Sequence, residues 1–187
     1  AEDTAFYCYN NLISLNDVGG EPSKFATSAR QFHDFCSRIQ KHWPLTMNTT
    51  STHDTKRGED TRMRINMISQ MPGRWKKAVV PWFNYNRKYR SRDFPDPNTE
   101  YFLYQTLVGT WPIEQQRLTD YMIKAAREAK LHTNWTDINK DYEDALLNFI
   151  TGILKNKKFI SSLESFIALI IEPARIGSLA QTLIKYM

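Results

Sequence analysis

Cysteine is scarce: Cys8 and Cys36 are the only two in 187 residues. They supply neither a disulfide framework nor a paired metal-binding spacing, so a reduced, cytoplasmic compartment is the simpler expectation. His33 and Cys36 sit at a suggestive interval, but no second pair accompanies them. A packed Cys on a helix is expected there, with no metal and no cofactor. Long apolar runs are also missing. The most apolar stretch, Phe159 to Ile171, contains Glu164 and is followed by Pro173. Crossing a bilayer takes about 20 apolar residues, so this stretch is expected in a protein core. No secretory pattern opens the chain, because Ala1-Glu2-Asp3-Thr4 is acidic with no apolar run behind it. Internal repeats and low-complexity tracts are absent. Two matches to the glycosylation sequon, at Asn48 and Asn134, carry little weight without a secretory signal.

What is present suits a single domain with a real core. Hydrophobic residues make up 41% and charged residues 24%, ordinary for a globular chain. Aromatics reach 13%, which excludes global disorder and leaves rings for stacking on a ligand. The formal charge of +5 would tolerate an acidic partner, although a modest excess usually belongs to a solvated surface.

Periodicity predicts a mainly α-helical fold. Glu2 to Asn10 reads as the tail of an element begun earlier, and Gly19-Gly20-Glu21-Pro22 as a loop. A helix capped by Ser23 or Thr27 would turn Phe25, Ala29, Phe32, Phe35, Cys36 and Ile39 inward and end at Trp43-Pro44. Leu45 to Ser51 is the single predicted strand. Beyond it, Gly58 caps a helix with Met63, Met67, Ile68 and Met71, on which Asp60 and Arg64 pair one turn apart. Pro72 begins another helix through Trp75, Val79 and Phe83. A loop at Phe94-Pro95-Asp96-Pro97-Asn98 follows, then helices carrying Tyr101 to Val108, Leu118 to Ala129 and Tyr142 to Ile153. Two last helices are separated at Pro173. A lone strand cannot satisfy its own edges, which points to a sheet outside this chain.

The sharpest chemical feature is the polar run Thr49 to Asp60. If a parallel barrel strand ends near Ser51, His53 and Asp54 lie on the loop at its C-terminal end, where barrel enzymes place catalytic groups. An ionised carboxylate there can stabilise an oxocarbenium-like transition state, and the neighbouring histidine can donate to sugar hydroxyls. Lys56 and Arg57 would either contact substrate or hold Asp54 ionised by a salt bridge. A polar loop that merely caps a helix gives the same dipeptide.

The longer string carries more. Ser51-Thr52-His53-Asp54-Thr55-Lys56-Arg57 followed by Glu59-Asp60 resembles the signature of the maltooligosyltrehalose synthase family, within the α-amylase superfamily. Glu2 to Tyr7, Leu15 to Gly20, Tyr104 to Pro112, Lys124 to Lys130, His132 to Thr136 and Ser178 to Leu183 resemble further blocks of that family in the same order. Gly58 departs from it, standing where the family usually has Ser; glycine is also an acceptable cap.

The resemblance implies an intramolecular transglucosylase that turns the reducing-end α-1,4 linkage of a maltooligosaccharide into α-1,1. An Asp nucleophile and a Glu acid/base would lie outside this chain. Asp54 would be the transition-state stabiliser, with His53, Lys56 and Arg57 as substrate-binding residues. It also implies a helical subdomain of a (β/α)8-barrel enzyme with one short strand near residues 45–51. Residues 1–58 would be a barrel remnant holding the end of strand six, a helix, strand seven and the catalytic loop. Residues 59–171 would be a helical insertion, and 172–187 a helix leading back. Barrel-facing apolar surface left uncovered should favour association or rearrangement of the first fifty residues. Glu2 and Asp3 are candidates to line the same cleft.

The alternative is a basic helical module for nucleic acid or another acidic partner, suggested by bases interleaved with aromatics from Trp82 to Arg92. A helix with one apolar and one solvated face yields the same pattern. The expected partner is a maltooligosaccharide, with neither nucleic acid nor membrane, and the oligomeric state is open.

Overall fold

The computed structural model describes residues 2–186, and they are overwhelmingly helical. Helix α1 spans Glu2–Cys8, α2 Ala29–His42, α3 Glu59–Gln70 and α4 Pro72–Asn86. They are followed by α5 Pro97–Thr110, α6 Gln115–Ala129, α7 Lys140–Leu154 and α8 Lys157–Tyr186, with short 3-10 turns at Ile13–Leu15 and Arg87–Tyr89. The mainly α expectation holds.

Helix α5 is the centre. Every residue from Phe102 to Gly109 is buried, as expected of a helix surrounded on all sides. Asp96 starts it by accepting from the backbone N–H groups of Asn98 and Thr99. At Gly109 a Cβ would stand 2.9 Å from Ile65 Cδ1, so glycine lets α3 approach α5. Trp82, fully buried on α4, gathers the aromatic core: its ring lies 5.5 Å from Tyr104 and 5.4 Å from Phe159, edge to face. Its indole N–H donates to Ser162 Oγ at 2.9 Å. In the Trp82 to Arg92 stretch, Trp82 and Asn86 are buried on α4, Arg87 and Lys88 in the 3-10 turn are exposed, and Arg90 pairs with the buried Glu100.

One chain of polar groups crosses this core. Arg90 Nε donates to Glu100 Oε2 at 2.6 Å, and the Tyr104 hydroxyl donates to Glu100 Oε1. Asn86 donates to Tyr104 at 3.0 Å, and Asn156 donates to Asn86 at 3.0 Å. Burial pushes the Glu100 carboxyl above its ordinary range, against the opposing pull of Tyr104 and Arg90.

Several expectations are corrected. Residues 45–51 form no strand: Leu45 is 96% and Met47 93% exposed, and no strand among the described residues offers ladder partners. Where a barrel strand was expected at Glu2 and Asp3, the chain is helix α1, which packs on α6. The side chain of Glu2 lies outside the described residues. Helix α2 starts at Ser28, through a reciprocal capping box with Gln31, and ends at Trp43. Its presumed inner face is open, with Phe32, Phe35 and Cys36 exposed, because α2 buries no residue against the helical body.

Pro173 does not break α8, which runs through it for 30 residues; Phe166, Ile170 and Ala174 are buried on either side and hold the helix in place. By length and hydropathy α8 is long enough to cross a membrane, yet Phe159, Leu163, Phe166, Ile167 and Ile170 lie in the core. Beyond residue 175 the same helix exposes Ile176, Leu179, Leu183 and Ile184. Asp60 and Arg64 do not pair: Arg64 Nη1 donates to the Trp111 carbonyl at 2.7 Å and Asp60 accepts from Ser178. A surface i,i+4 pair contributes only a few tenths of a kcal/mol, so a helix-terminal carbonyl competes easily for Arg64.

Candidate functional site

The polar run between α2 and α3 folds back on itself by short-range bonds. Thr52 N–H donates to Thr55 Oγ1 at 2.7 Å, Thr55 N–H to the Thr52 carbonyl at 3.2 Å, and Asp54 N–H to Thr52 Oγ1 at 3.2 Å. Ser and Thr side chains favour such turns over regular structure. The turn pushes His53 and Asp54 outward, with 91% and 63% of their side chains exposed. His53 Nε2 lies 3.4 Å from Asp54 Oδ2.

Asp54 is on the rim of an open cleft of about 430 Å³. The loop 17–20 forms the facing wall, where Gly19 adopts φ +74°, and Thr49 to Thr52, Thr55 and Arg62 complete it. Asp17 joins the two walls. Its Oδ1 accepts from the backbone N–H groups of Lys56 at 3.2 Å and Val18 at 2.9 Å, while Oδ2 faces Arg62 Nη1 at 3.4 Å. Arg62 Nη2 donates to the Thr50 carbonyl and to Ser51 Oγ. Asp17 and Glu59 stand inside the blocks that carry the resemblance, but neither they nor Arg62 were expected at the site. Their visible signal is charge next to tight turns.

Of the four predicted site residues, the structure presents two to solvent together. Lys56 and Arg57 find other partners than Asp54, so of the two roles expected for them the salt bridge to Asp54 does not form. Lys56 Nζ pairs with Asp3 on α1 and lies 5.9 Å from the Tyr7 ring centroid; the hydrogen bond with Asp3 raises the lysine pKa and lowers that of the aspartate. Arg57 is buried. Its Nη1 donates to the Ile13 carbonyl at 2.9 Å, Nη2 to the Tyr121 hydroxyl at 3.0 Å, and its guanidinium lies 5.7 Å from the Phe102 ring. These contacts make Arg57 an anchor between the loop, the 3-10 turn and α5–α6. Asp3 does reach the loop, through Lys56. Among the described residues no group of three or more His, Cys, Asp or Glu side chains has metal-binding geometry.

Glu59, at the start of α3, ties the loop down. Hydrogen bonding from Thr50, then its own backbone N–H and Ser51, lowers its carboxyl from 4.5 to about 2. A depressed folded-state pKa stabilises this attachment above pH 4.5 and loses that contribution as pH falls toward 2. Amide protection factors at residues 50–52, which correct for the intrinsic slowing of exchange in acid, should therefore fall over that range. In Glu59→Gln this fall should vanish, and an unchanged profile would disprove the role.

No family model matches the chain. A putative maltooligosyl trehalose synthase of Mycobacterium tuberculosis is 39% identical over 160 residues, covering 82% of this chain and 20% of the relative. A crystal structure of a maltooligosyl trehalose synthase superposes on the whole chain with a TM-score of 0.90 at 38% identity, matching 26% of that structure. The Arthrobacter ramosus maltooligosyltrehalose synthase gives 0.89 at 35% identity, over 98% of this chain and 24% of its own. The chain thus spans about a quarter or less of the proteins it matches. Fold and coverage together match the chain to a helical segment of those much longer proteins. Along that stretch its homologues are maltooligosyl trehalose synthases.

Proposed function

We propose that this chain is the stabiliser-bearing segment of an intramolecular transglucosylase, a (1→4)-α-D-glucan 1-α-D-glucosylmutase acting in trehalose biosynthesis. The full-length enzyme would move the reducing-end glucose of a maltooligosaccharide from an α-1,4 to an α-1,1 linkage, with retention. The observation that carries this reading is the presentation of Asp54 at the rim of an open cleft, with solvent-facing His53 beside it, in a chain 39% identical to its relative. Retention requires two carboxyl groups about 5–5.5 Å apart flanking the scissile bond, and these we assign to the remainder of the enzyme. Asp54 would add a third carboxyl group, ionised and facing the positive sugar ring of the transition state, and His53 would donate to a ring hydroxyl. Lys56 would help position the loop through Asp3, with Arg57 as its anchor. We place residues 1–58 against the catalytic barrel, 59–171 as the helical insertion and 172–187 as the return helix, in a cytoplasmic enzyme without a cofactor.

The full-length protein incubated with maltopentaose should lose reducing ends while keeping its glucose count. The 187-residue chain alone should convert none. Conversion by the isolated chain would overturn the division of catalytic groups, and an inert full-length protein would overturn the function.

A further inference from the structure

The loop between α6 and α7 holds an aromatic side chain that the site around Asp54 does not use. Trp135 is 51% exposed, yet it is fixed from several sides. Its indole N–H donates to Glu128 Oε1 at 3.0 Å, and the Arg127 guanidinium stacks 5.0 Å from its ring centroid. Arg127 is itself held by both oxygens of Glu143, at 2.8 and 2.7 Å, and Thr133 donates to Glu143 at 2.8 Å. Asn134 Oδ1 accepts from the N–H groups of Thr136 and Asp137, closing the loop around the tryptophan. A solvated, mobile indole needs no such scaffold. A preorganised one binds a flat apolar face without a large ordering cost.

Beside Trp135 runs a groove of about 900 Å³ between α6 and α7, within the roughly 300–1,000 Å³ typical of ligand sites. Its lining balances Asp120, Glu143 and Asp144 against Lys124, Arg127 and Lys140. Such a groove has no formal charge excess to attract phosphate or an acidic peptide, unlike the chain as a whole. Gln115, Gln116, Thr119 and Thr151 add neutral donors and acceptors. A rigid indole beside amides and hydroxyls, with charges balanced, matches a neutral polyhydroxylated ring whose C–H face stacks while its rim hydrogen-bonds. We infer that the α6–α7 groove is a second glucan-binding surface, with Trp135 as its platform, separate from the cleft at Asp54. That the sugar is an α-1,4-glucan rests on the function proposed above.

The test uses the ¹⁵N-labelled 187-residue chain titrated with maltoheptaose. The Trp135 indole resonance, assigned by its loss in Trp135→Phe, should shift saturably, while those of the buried Trp75 and Trp82 stay in place. Trp135→Ala should weaken binding by about tenfold, a difference readily resolved in a titration. Trp135→Phe, which keeps a ring, should weaken it less. In the full-length protein Trp135→Ala should reduce retention on a gel containing long soluble glucan and leave turnover of maltopentaose unchanged. Absence of a saturable shift, or equal binding by Trp135→Ala, would overturn the inference. Trp135-dependent glucan binding by a full-length protein that rearranges nothing would sustain the groove and remove the proposed function instead.

Discussion

Asp54→Asn in the full-length enzyme should lower formation of the α-1,1-linked product by on the order of 10³-fold, the scale associated with removing one preorganised electrostatic group from a transition state. Stability should hardly move. The Asp54 side chain is 63% exposed, among the described residues it faces the still more solvated His53, and the turn is maintained by backbone N–H groups and threonine hydroxyls. Asn preserves the volume and loses the charge, so kcat should fall while the melting curve stays superimposable. Arg57→Ala should give the opposite pattern. It removes the bonds to the Ile13 carbonyl and the Tyr121 hydroxyl, so the chain should become less stable by about 1–3 kcal/mol in urea unfolding. Near-normal turnover in Asp54→Asn would remove the assignment, whatever Arg57 does.

The contrast between those residues also shows how far the sequence could be read. The run from Ser51 to Asp60 located the loop, on which His53 and Asp54 are exposed. It could not tell which neighbouring cations face the cleft, because successive loop residues follow no fixed period. Lys56 and Arg57 are adjacent, yet one pairs with α1 and the other enters the core. Helices were legible wherever periodicity and caps agreed, as at Gly58, Pro72 and Asn139. Periodicity shows that a face is apolar, but says nothing about what covers it. Phe32 and Phe35 on α2 repeat correctly and remain exposed, as do Leu179 and Leu183 on α8. Thr46 to Ser51 has the composition of a strand, but strands are made by neighbours, and none is present among the described residues. Pro173 misled for the reverse reason, since packing on both sides outweighs one missing N–H.

Glu100→Ala should be among the most destabilising single substitutions in the chain, costing about 3 kcal/mol in urea unfolding, because it takes the acceptor from a buried charged network. Glu100 is fully buried, and its two oxygens receive Arg90 and Tyr104. Without it, Tyr104 still has the Trp82 carbonyl at 3.2 Å, but the guanidinium of Arg90 loses its acidic partner and faces the Phe83 ring. Glu100→Gln keeps one acceptor and should cost less. The pH dependence separates the two roles of the carboxyl. Burial raises its folded-state pKa above 4.5, so the group's contribution is complete below pH 4.5 and declines as pH rises through the folded value. Glu100→Gln has no proton to lose there, so its stability deficit relative to the native chain should be greatest near pH 4.5 and shrink as pH climbs. A deficit that grew with pH would mean that the Arg90 ion pair outweighs burial, reversing the direction assigned to this carboxyl.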